Sequence, residues 1–98
     1  MSIQVVAVIT AKPGSEDVVR DALAGLVGPT RDEAGCHTYD LSESTSSPGT
    51  FITVEEWNDP SDLDQHMASD HIKAALGVLG SELAAPPAIH TLRPLDVR

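Results

Sequence analysis

The sequence is poor in cysteine, in aromatic residues and in basic residues, and each shortage excludes a class of protein. The single cysteine, Cys36, allows no internal disulfide and no metal site built from several thiolates. Aromatic residues make up 3% of the chain, so a flat wall for a ligand must use Tyr39, Phe51 or Trp57. Lysine and arginine number 6 against 15 acidic residues, and the resulting net charge of −9 disfavours nucleic acid and anionic membranes as partners.

Long hydrophobic runs are also absent. No apolar stretch approaches the roughly 18 to 20 residues that span a bilayer, and residues 1–4 lack the basic and apolar pattern of a secretory signal. We therefore expect a cytoplasmic protein. An apolar share of 41% and a charged share of 21% are typical of a globular protein, and 98 residues fit a single domain spanning residues 1–98.

Hydrophobic periodicity and turn signals predict the element order β-α-β-β-α-β. Ser15 is the expected cap of the first helix, which Gly28-Pro29 should interrupt, while Asp59 begins the second helix and Ser69 caps a further segment of it. This order is that of the ferredoxin-like α+β fold, in which one antiparallel sheet carries the helices on one face. The predicted strands cover residues 3–10, 36–43, 50–57 and 88–93.

The first strand is apolar on both of its faces, because Val6 and Val8 on one side match Val5 and Ile9 on the other. A strand of this kind is normally buried on both faces. With the helices on one face of the sheet, a single chain offers nothing to cover the other. We therefore predict a homodimer in which two sheets pack face to face.

Four short motifs follow one another along the chain: Lys12-Pro13-Gly14, residues 30–36 followed by Tyr39, Phe51 leading to Glu55-Glu56-Trp57, and His66 with Ser69-Asp70-His71. In this order they resemble the antibiotic-biosynthesis-monooxygenase domain and its small quinol-monooxygenase-like members. The resemblance implies a dimeric α+β barrel. It also implies that dioxygen oxidises a small quinol or phenol with no metal or flavin cofactor: the substrate is deprotonated, its ring reduces dioxygen, and the protein supplies an apolar pocket and a base.

His66 is the candidate base. It lies on the inward side of the second helix with Leu63 and Met67, and a neutral imidazole can accept a phenolic proton near neutral pH. Glu55 shares a strand face with Trp57 and is the second candidate catalytic residue, because its carboxylate could orient His66 or accept its proton. His66 could instead occupy a structural, hydrogen-bonded core position.

Glu55 and the aromatic rings could likewise have purely structural roles. Glu55 could form an ion pair with Arg31 or Lys12, and the rings could simply anchor the second helix on the sheet. In the polyketide-quinone-forming relatives a tryptophan matching Trp57 acts with an asparagine four positions earlier, where this chain has Thr53. The predicted substrate-binding residues are Trp57, Tyr39, Thr53, Leu63, Met67 and His71.

A metal site is not expected from the spacing of the histidines. His37, His66, His71 and His90 contain no pair at the i, i+4 spacing of a helical zinc site, and His66 and His71 are separated by a predicted helix break. Two further functions remain open. The same base could serve a non-oxidative isomerase or cyclase acting on a carbonyl compound, or the pocket could belong to a non-catalytic protein that binds a small apolar ligand.

Overall fold

The computed structural model describes residues 2–97 and has the predicted element order, with the second helix divided in two. The four strands form one antiparallel sheet in the order β2-β3-β1-β4, which is the ferredoxin-like arrangement. The elements are β1 (Ile3–Thr10), α1 (Glu16–Arg31), β2 (Cys36–Glu43), β3 (Thr50–Trp57), α2 (Pro60–Met67), α3 (Asp70–Leu79) and β4 (Ala88–Leu92).

Strand register decides which side chains reach the interior. Val5 of β1 lies opposite Glu55 of β3, and Glu55 lies opposite Tyr39 of β2. Because side chains alternate along a strand, Thr53 and Trp57 point to the same face as Glu55. We call this helix-covered side the inner face, and it carries every site residue predicted on the strands.

The inner face holds a core of aliphatic side chains around one phenylalanine. Helices α1 and α3 pack on it, and burying a side chain of this size stabilises the fold by about 1.5–3 kcal/mol. Strand β1 supplies only every second residue to this core, as a half-buried strand does. The largest core members are Ile9, Leu23, Leu26, Phe51, Ile72 and Leu79.

Helix α2 begins where the sequence predicts it. Asp59 accepts a hydrogen bond from the backbone N–H of Ser61, Asp62 accepts one from the N–H of Asp59, and Pro60 occupies the first turn. Asp62 also packs directly on Gly35, where a Cβ atom would lie 2.1 Å from the Asp62 Cγ. The start of α2 is therefore docked on the segment that leads into β2.

Helix α1 differs from the prediction in two ways. It continues through Gly28 and Pro29 to Arg31, because a proline so near the end removes only one hydrogen bond. The hydroxyl of Ser15 makes no cap and donates instead to Glu82, 2.6 Å away. Strand β4 ends at Leu92, one residue earlier than predicted.

The opposite face of the sheet, here called the outer face, remains open in a single chain. Val6, Val8 and Ile52 are half-buried on it, and Val54 is 52% exposed. The helices cover only the inner face, as the sequence predicts. Among residues 2–97, no helix has the length and apolar character needed to cross a membrane.

Candidate active site

A small cavity lies between the inner face of the sheet and helices α1, α2 and α3. Its volume is about 70 Å³ and its wall is mostly aliphatic. Its wall includes the polar residues Tyr39, Thr53 and Glu55 of the sheet and His66 of α2. The cavity therefore combines apolar surroundings with a few convergent polar groups, which is typical of a small-molecule site.

Glu55 is a buried carboxylate whose two oxygen atoms both have donors. The Thr53 hydroxyl donates to Oε2 over 2.7 Å, and the Trp57 indole N–H donates to Oε1 over 2.9 Å. All three residues stand two apart on β3, so the strand itself brings them together. Burying a carboxylate is costly unless it is hydrogen-bonded, and these two bonds offset that cost.

His66 is a buried histidine, with 2% of its surface exposed. Its Nδ1 atom lies 2.7 Å from Oε2 of Glu33, and the same oxygen lies 2.9 Å from Nε2 of His71. Glu33 thus joins two histidines from two different helices. We call these three residues the Glu-His-His cluster; their ligand atoms all lie within 4.8 Å of one another.

Aromatic rings enclose His66 on three sides. Its ring centroid lies 4.7 Å from that of Trp57 at an interplanar angle of 37°, and 5.7 Å from that of Tyr39. The ring of His71 lies 6.0 Å away. Packing and the Glu33 hydrogen bond together fix the orientation of the imidazole, as a positioned catalytic or ligating group requires.

Burial near the carboxylates suppresses ionisation of the neighbouring acids. Desolvation and then the charge of Glu55 raise the pKa of the Tyr39 hydroxyl far above its usual value. Desolvation, followed by the charges of Glu33 and Glu55, also raises the pKa of the Cys36 thiol. Tyr39 therefore stays protonated and can act only as a neutral donor or acceptor, and Cys36 is not activated as a thiolate.

The structure brings only part of the predicted site to the cavity wall. Trp57, Leu63 and His71 are absent from the wall: Trp57 lies beneath the His66 ring, Leu63 packs with Trp57 and Val5, and His71 faces Glu33. The substrate-binding role of these three residues stays a prediction. The predicted residues that do line it are His66, Glu55, Tyr39, Thr53 and Met67.

Glu55 forms hydrogen bonds with Thr53 and Trp57 and with none of the three partners that the sequence suggested. The carboxylate bonded to His66 belongs to Glu33, while Arg31 donates to Asp40 and to the backbone oxygen of Tyr39. Lys12 donates to the backbone oxygen of Ser81. The carboxylate that contacts His66 therefore comes from the turn after α1.

Sequence reasoning did not single out Glu33, although it stood inside a recognised motif. The signal available was its position just before Gly35, where the chain turns towards β2. The expectation of no metal site rested on sequence spacing and stays a prediction. Spacing between His66 and His71 was judged alone, whereas the structure adds a carboxylate between them.

Comparisons with known proteins agree with the motifs. The family model for antibiotic biosynthesis monooxygenase matches residues 2–77. The chain is 33% identical to Rv0793 of Mycobacterium tuberculosis, a proposed monooxygenase, over 96% of this chain and 92% of Rv0793. It is 29% identical to YgiN of Escherichia coli, a proposed quinol monooxygenase, over 71% of this chain and 77% of YgiN.

Solved structures give the same result. The structure of Rv0793 matches with a TM-score of 0.90 and 32% identity, covering 99% of this chain and 98% of that one. PA3566 from Pseudomonas aeruginosa matches with a TM-score of 0.90 and 30% identity, covering 97% and 95%. The resemblance predicted from the motifs is confirmed, and the monooxygenase names of the relatives support an enzyme.

Proposed function

This chain belongs to the antibiotic biosynthesis monooxygenase family, and we propose that it is a cofactor-independent monooxygenase that oxidises a small quinol or phenol with dioxygen in the cytoplasm. One observation carries the proposal. A buried imidazole, His66, lies on the wall of an apolar cavity with one ring nitrogen bonded to a carboxylate. This arrangement suits a general base for a phenolic substrate.

The hydrogen bond to Glu33 assigns the two nitrogens of His66 different tasks. An ionised carboxylate can only accept a hydrogen bond, so the Nδ1 atom of His66 carries the hydrogen that it donates to Glu33. The Nε2 atom of His66 then keeps a free lone pair. Nε2 then takes the phenolic proton, and the imidazolium that forms is stabilised by Glu33 at 2.7 Å. Glu33 is thus a positioning residue for the base.

The oxidation needs only substrate and dioxygen. The deprotonated ring donates electrons to dioxygen, one oxygen atom bonds to a ring carbon that carries hydrogen, and the other leaves as water. In a phenol this carbon is the free para position; in a quinol, whose para position already carries a hydroxyl, it is another ring carbon. In both cases the substrate gains one oxygen and loses two hydrogens, so one phenol and one dioxygen give one quinone and one water, and one quinol and one dioxygen give one hydroxyquinone and one water. The protein's contribution is to remove the phenolic proton and to exclude bulk water.

The polar atoms of Glu55 suit substrate binding. Each of its oxygens already accepts one hydrogen bond and has a further lone pair. The carboxylate can therefore also accept a hydrogen bond from the second hydroxyl of a quinol. Thr53 and Trp57 hold it in place. Glu55 therefore remains a candidate catalytic or binding residue, with a role separate from that of Glu33.

The size of the cavity favours a substrate with one ring. Its volume of about 70 Å³ is below the roughly 150 Å³ of an engineered cavity that holds benzene. Met67 and Leu76 line it and are 40% and 46% exposed, so their side chains can move outwards to admit a ring. A polycyclic substrate would require movement of the buried residues as well.

The outer face supports a homodimer. Val54 is 52% exposed and Leu92 is 42% exposed on the side of the sheet that no helix covers. Packing two such faces would remove this apolar surface from water. Light scattering should give twice the chain mass for the wild type, and Val54→Lys should shift it towards the monomer; a monomeric wild type would contradict the dimer.

Dioxygen consumption tests the proposed reaction. Protein freed of metal and flavin is offered single-ring and two-ring hydroquinones, and uptake is compared among the wild type, His66→Ala and His37→Ala. His37 is the matched control because it also pairs with a glutamate, Glu56, but at 3.7 Å on the surface. We expect loss of uptake by about 100-fold or more only in His66→Ala.

Different outcomes would favour the two remaining functions. Full activity in His66→Ala would remove the proposed base. Product formation without dioxygen would indicate an isomerase or cyclase. A ligand that binds and is recovered unchanged after aerobic incubation would indicate a binding protein, a function that the mostly aliphatic cavity wall also suits.

A further inference from the structure

We infer that the Glu-His-His cluster is a binding site for one divalent transition-metal ion of the Zn²⁺ type. The three ligand atoms are Oε2 of Glu33, Nδ1 of His66 and Nε2 of His71, and all lie within 4.8 Å of one another. A metal that bonds each ligand at about 2.0–2.2 Å requires small shifts of these side chains and no rearrangement of the helices.

The donor set selects the class of ion. Two imidazoles and one carboxylate bind zinc, nickel, cobalt or copper, whereas calcium and magnesium prefer all-oxygen sites. With both imidazoles neutral, the cluster carries one negative charge within a chain of net charge −9, so it attracts a cation. Three protein ligands leave a fourth position for water.

The backbone holds the two histidines in place. His66 lies in the last turn of α2 and His71 in the first turn of α3, with the short link Ala68–Ser69 between them. The Ser69 side chain accepts a hydrogen bond from the N–H of Ile72 and donates one to the backbone oxygen of His66. A ligand pair held this way loses little conformational freedom on binding a metal, which favours affinity.

The cluster is open to solvent on one side. The side chain of His66 is 3% exposed, but those of Glu33 and His71 are 19% and 24% exposed. An ion can therefore enter past His71 without passing through the cavity. The hydrogen bonds of 2.7 and 2.9 Å are held by protons that a metal would displace.

Occupation of this site has a consequence that rests on the proposed function. A metal on Nδ1 of His66 moves the ring proton to Nε2, which is the atom proposed to accept the substrate proton. The metal therefore removes the base, so the bound ion inhibits turnover.

Metal titration of the metal-free protein tests the site directly. Calorimetry with Zn²⁺ and visible absorption with Co²⁺ should both give one ion per chain, with cobalt absorption typical of a four-coordinate nitrogen and oxygen site. Glu33→Gln and His71→Ala should each weaken binding at least tenfold, and His37→Ala should leave it unchanged. Both cluster variants replace partly exposed side chains, and circular dichroism verifies that they fold.

Three results would overturn the site: no stoichiometric binding by the wild type, wild-type affinity in both cluster variants, or an equal loss in His37→Ala. Turnover with and without Zn²⁺ separates this inference from the proposed function. A protein that binds Zn²⁺ but shows no turnover even when metal-free keeps the site and removes the proposed monooxygenase, while a metal-free protein that turns over but binds no Zn²⁺ does the reverse. Zn²⁺ that binds and leaves turnover unchanged contradicts the inhibitory role.

Discussion

The interior between the helices and the inner face of the sheet has two ends, and they consist of different kinds of side chain. Strand β3 crosses both, from Phe51 at one end to Trp57 at the other. The aliphatic end is formed mainly by Ile9, Leu23, Phe51, Ile72 and Leu79. The polar end consists of Glu33, Glu55, Trp57, His66 and His71.

The difference between the ends lies in what each contact requires. At the aliphatic end a residue needs only suitable volume, since dispersion and burial have no preferred direction. At the polar end each buried polar group needs a hydrogen-bond partner at a fixed distance. A group left without a partner lowers the unfolding free energy by about 1–3 kcal/mol. Stability should therefore depend mainly on the first end and chemistry on the second.

Phe51→Ala should have the largest effect on stability. Phe51 is 1% exposed at the aliphatic end and does not line the cavity, and its truncation leaves a void that costs about 3–5 kcal/mol of unfolding free energy. Urea denaturation measures the loss. Turnover of the folded variant should remain near that of the wild type, and a loss of turnover as large as that in His66→Ala would show that the two ends are not separable.

Gly35→Ala should damage the polar end with a smaller cost in stability, about 1–3 kcal/mol. The new methyl group would overlap the Asp62 side chain, so α2 must move away from residue 35. This movement would also separate His66 from Glu33. Turnover and Zn²⁺ affinity should both fall.

The control for that change is Gly25→Ala. Gly25 lies inside α1 with nothing within 4 Å of the added carbon, so alanine should stabilise the helix by roughly 0.5–1 kcal/mol. Equal behaviour of the two variants in urea and in turnover would show that the approach of Asp62 to Gly35 does not position α2.

The strands and their inner face were predictable because local rules determine them. Alternation over 50–57 placed Phe51, Thr53, Glu55 and Trp57 on one face, and the structure confirms this. The start of α2 was equally predictable, since Asp59 and Pro60 form a local helix-start signal. Both predictions needed only neighbouring residues.

The Glu-His-His cluster was not predictable by the same means. Glu33 and His66 are separated by 33 positions, and their contact depends on how α2 docks on the turn before β2. That docking is a tertiary contact at a glycine, which carries no pattern in the sequence. For the same reason the sequence could place His66 inward but could not name the carboxylate that it meets.

Trp57→Phe tests whether a hydrogen-bond partner stabilises a buried polar group at the polar end. Phenylalanine keeps a ring under His66 but removes the N–H that donates to Glu55 over 2.9 Å. The unfolding free energy should fall by roughly 1–2 kcal/mol. Combining this change with Glu55→Gln in a double-mutant cycle isolates the bond, and additive losses would show that the two side chains are not coupled.

Thr30→Val should give the smallest effect and the opposite sign. Within residues 2–97, the Thr30 hydroxyl is the buried side-chain group without a hydrogen-bond partner, and it lies in the last turn of α1 close to Glu33. Valine keeps the branched shape and removes the unpaired group, so we expect a gain of up to about 1 kcal/mol in urea denaturation.

Thr53→Val is the matched opposite, because the Thr53 hydroxyl donates to Glu55 over 2.7 Å. The same chemical change should therefore destabilise the protein there by about 1–3 kcal/mol. If both threonines respond alike, hydrogen-bond partners do not distinguish the polar end from the aliphatic one. Opposite signs would show that, at this end of the interior, the partner rather than the polarity of a side chain decides its contribution.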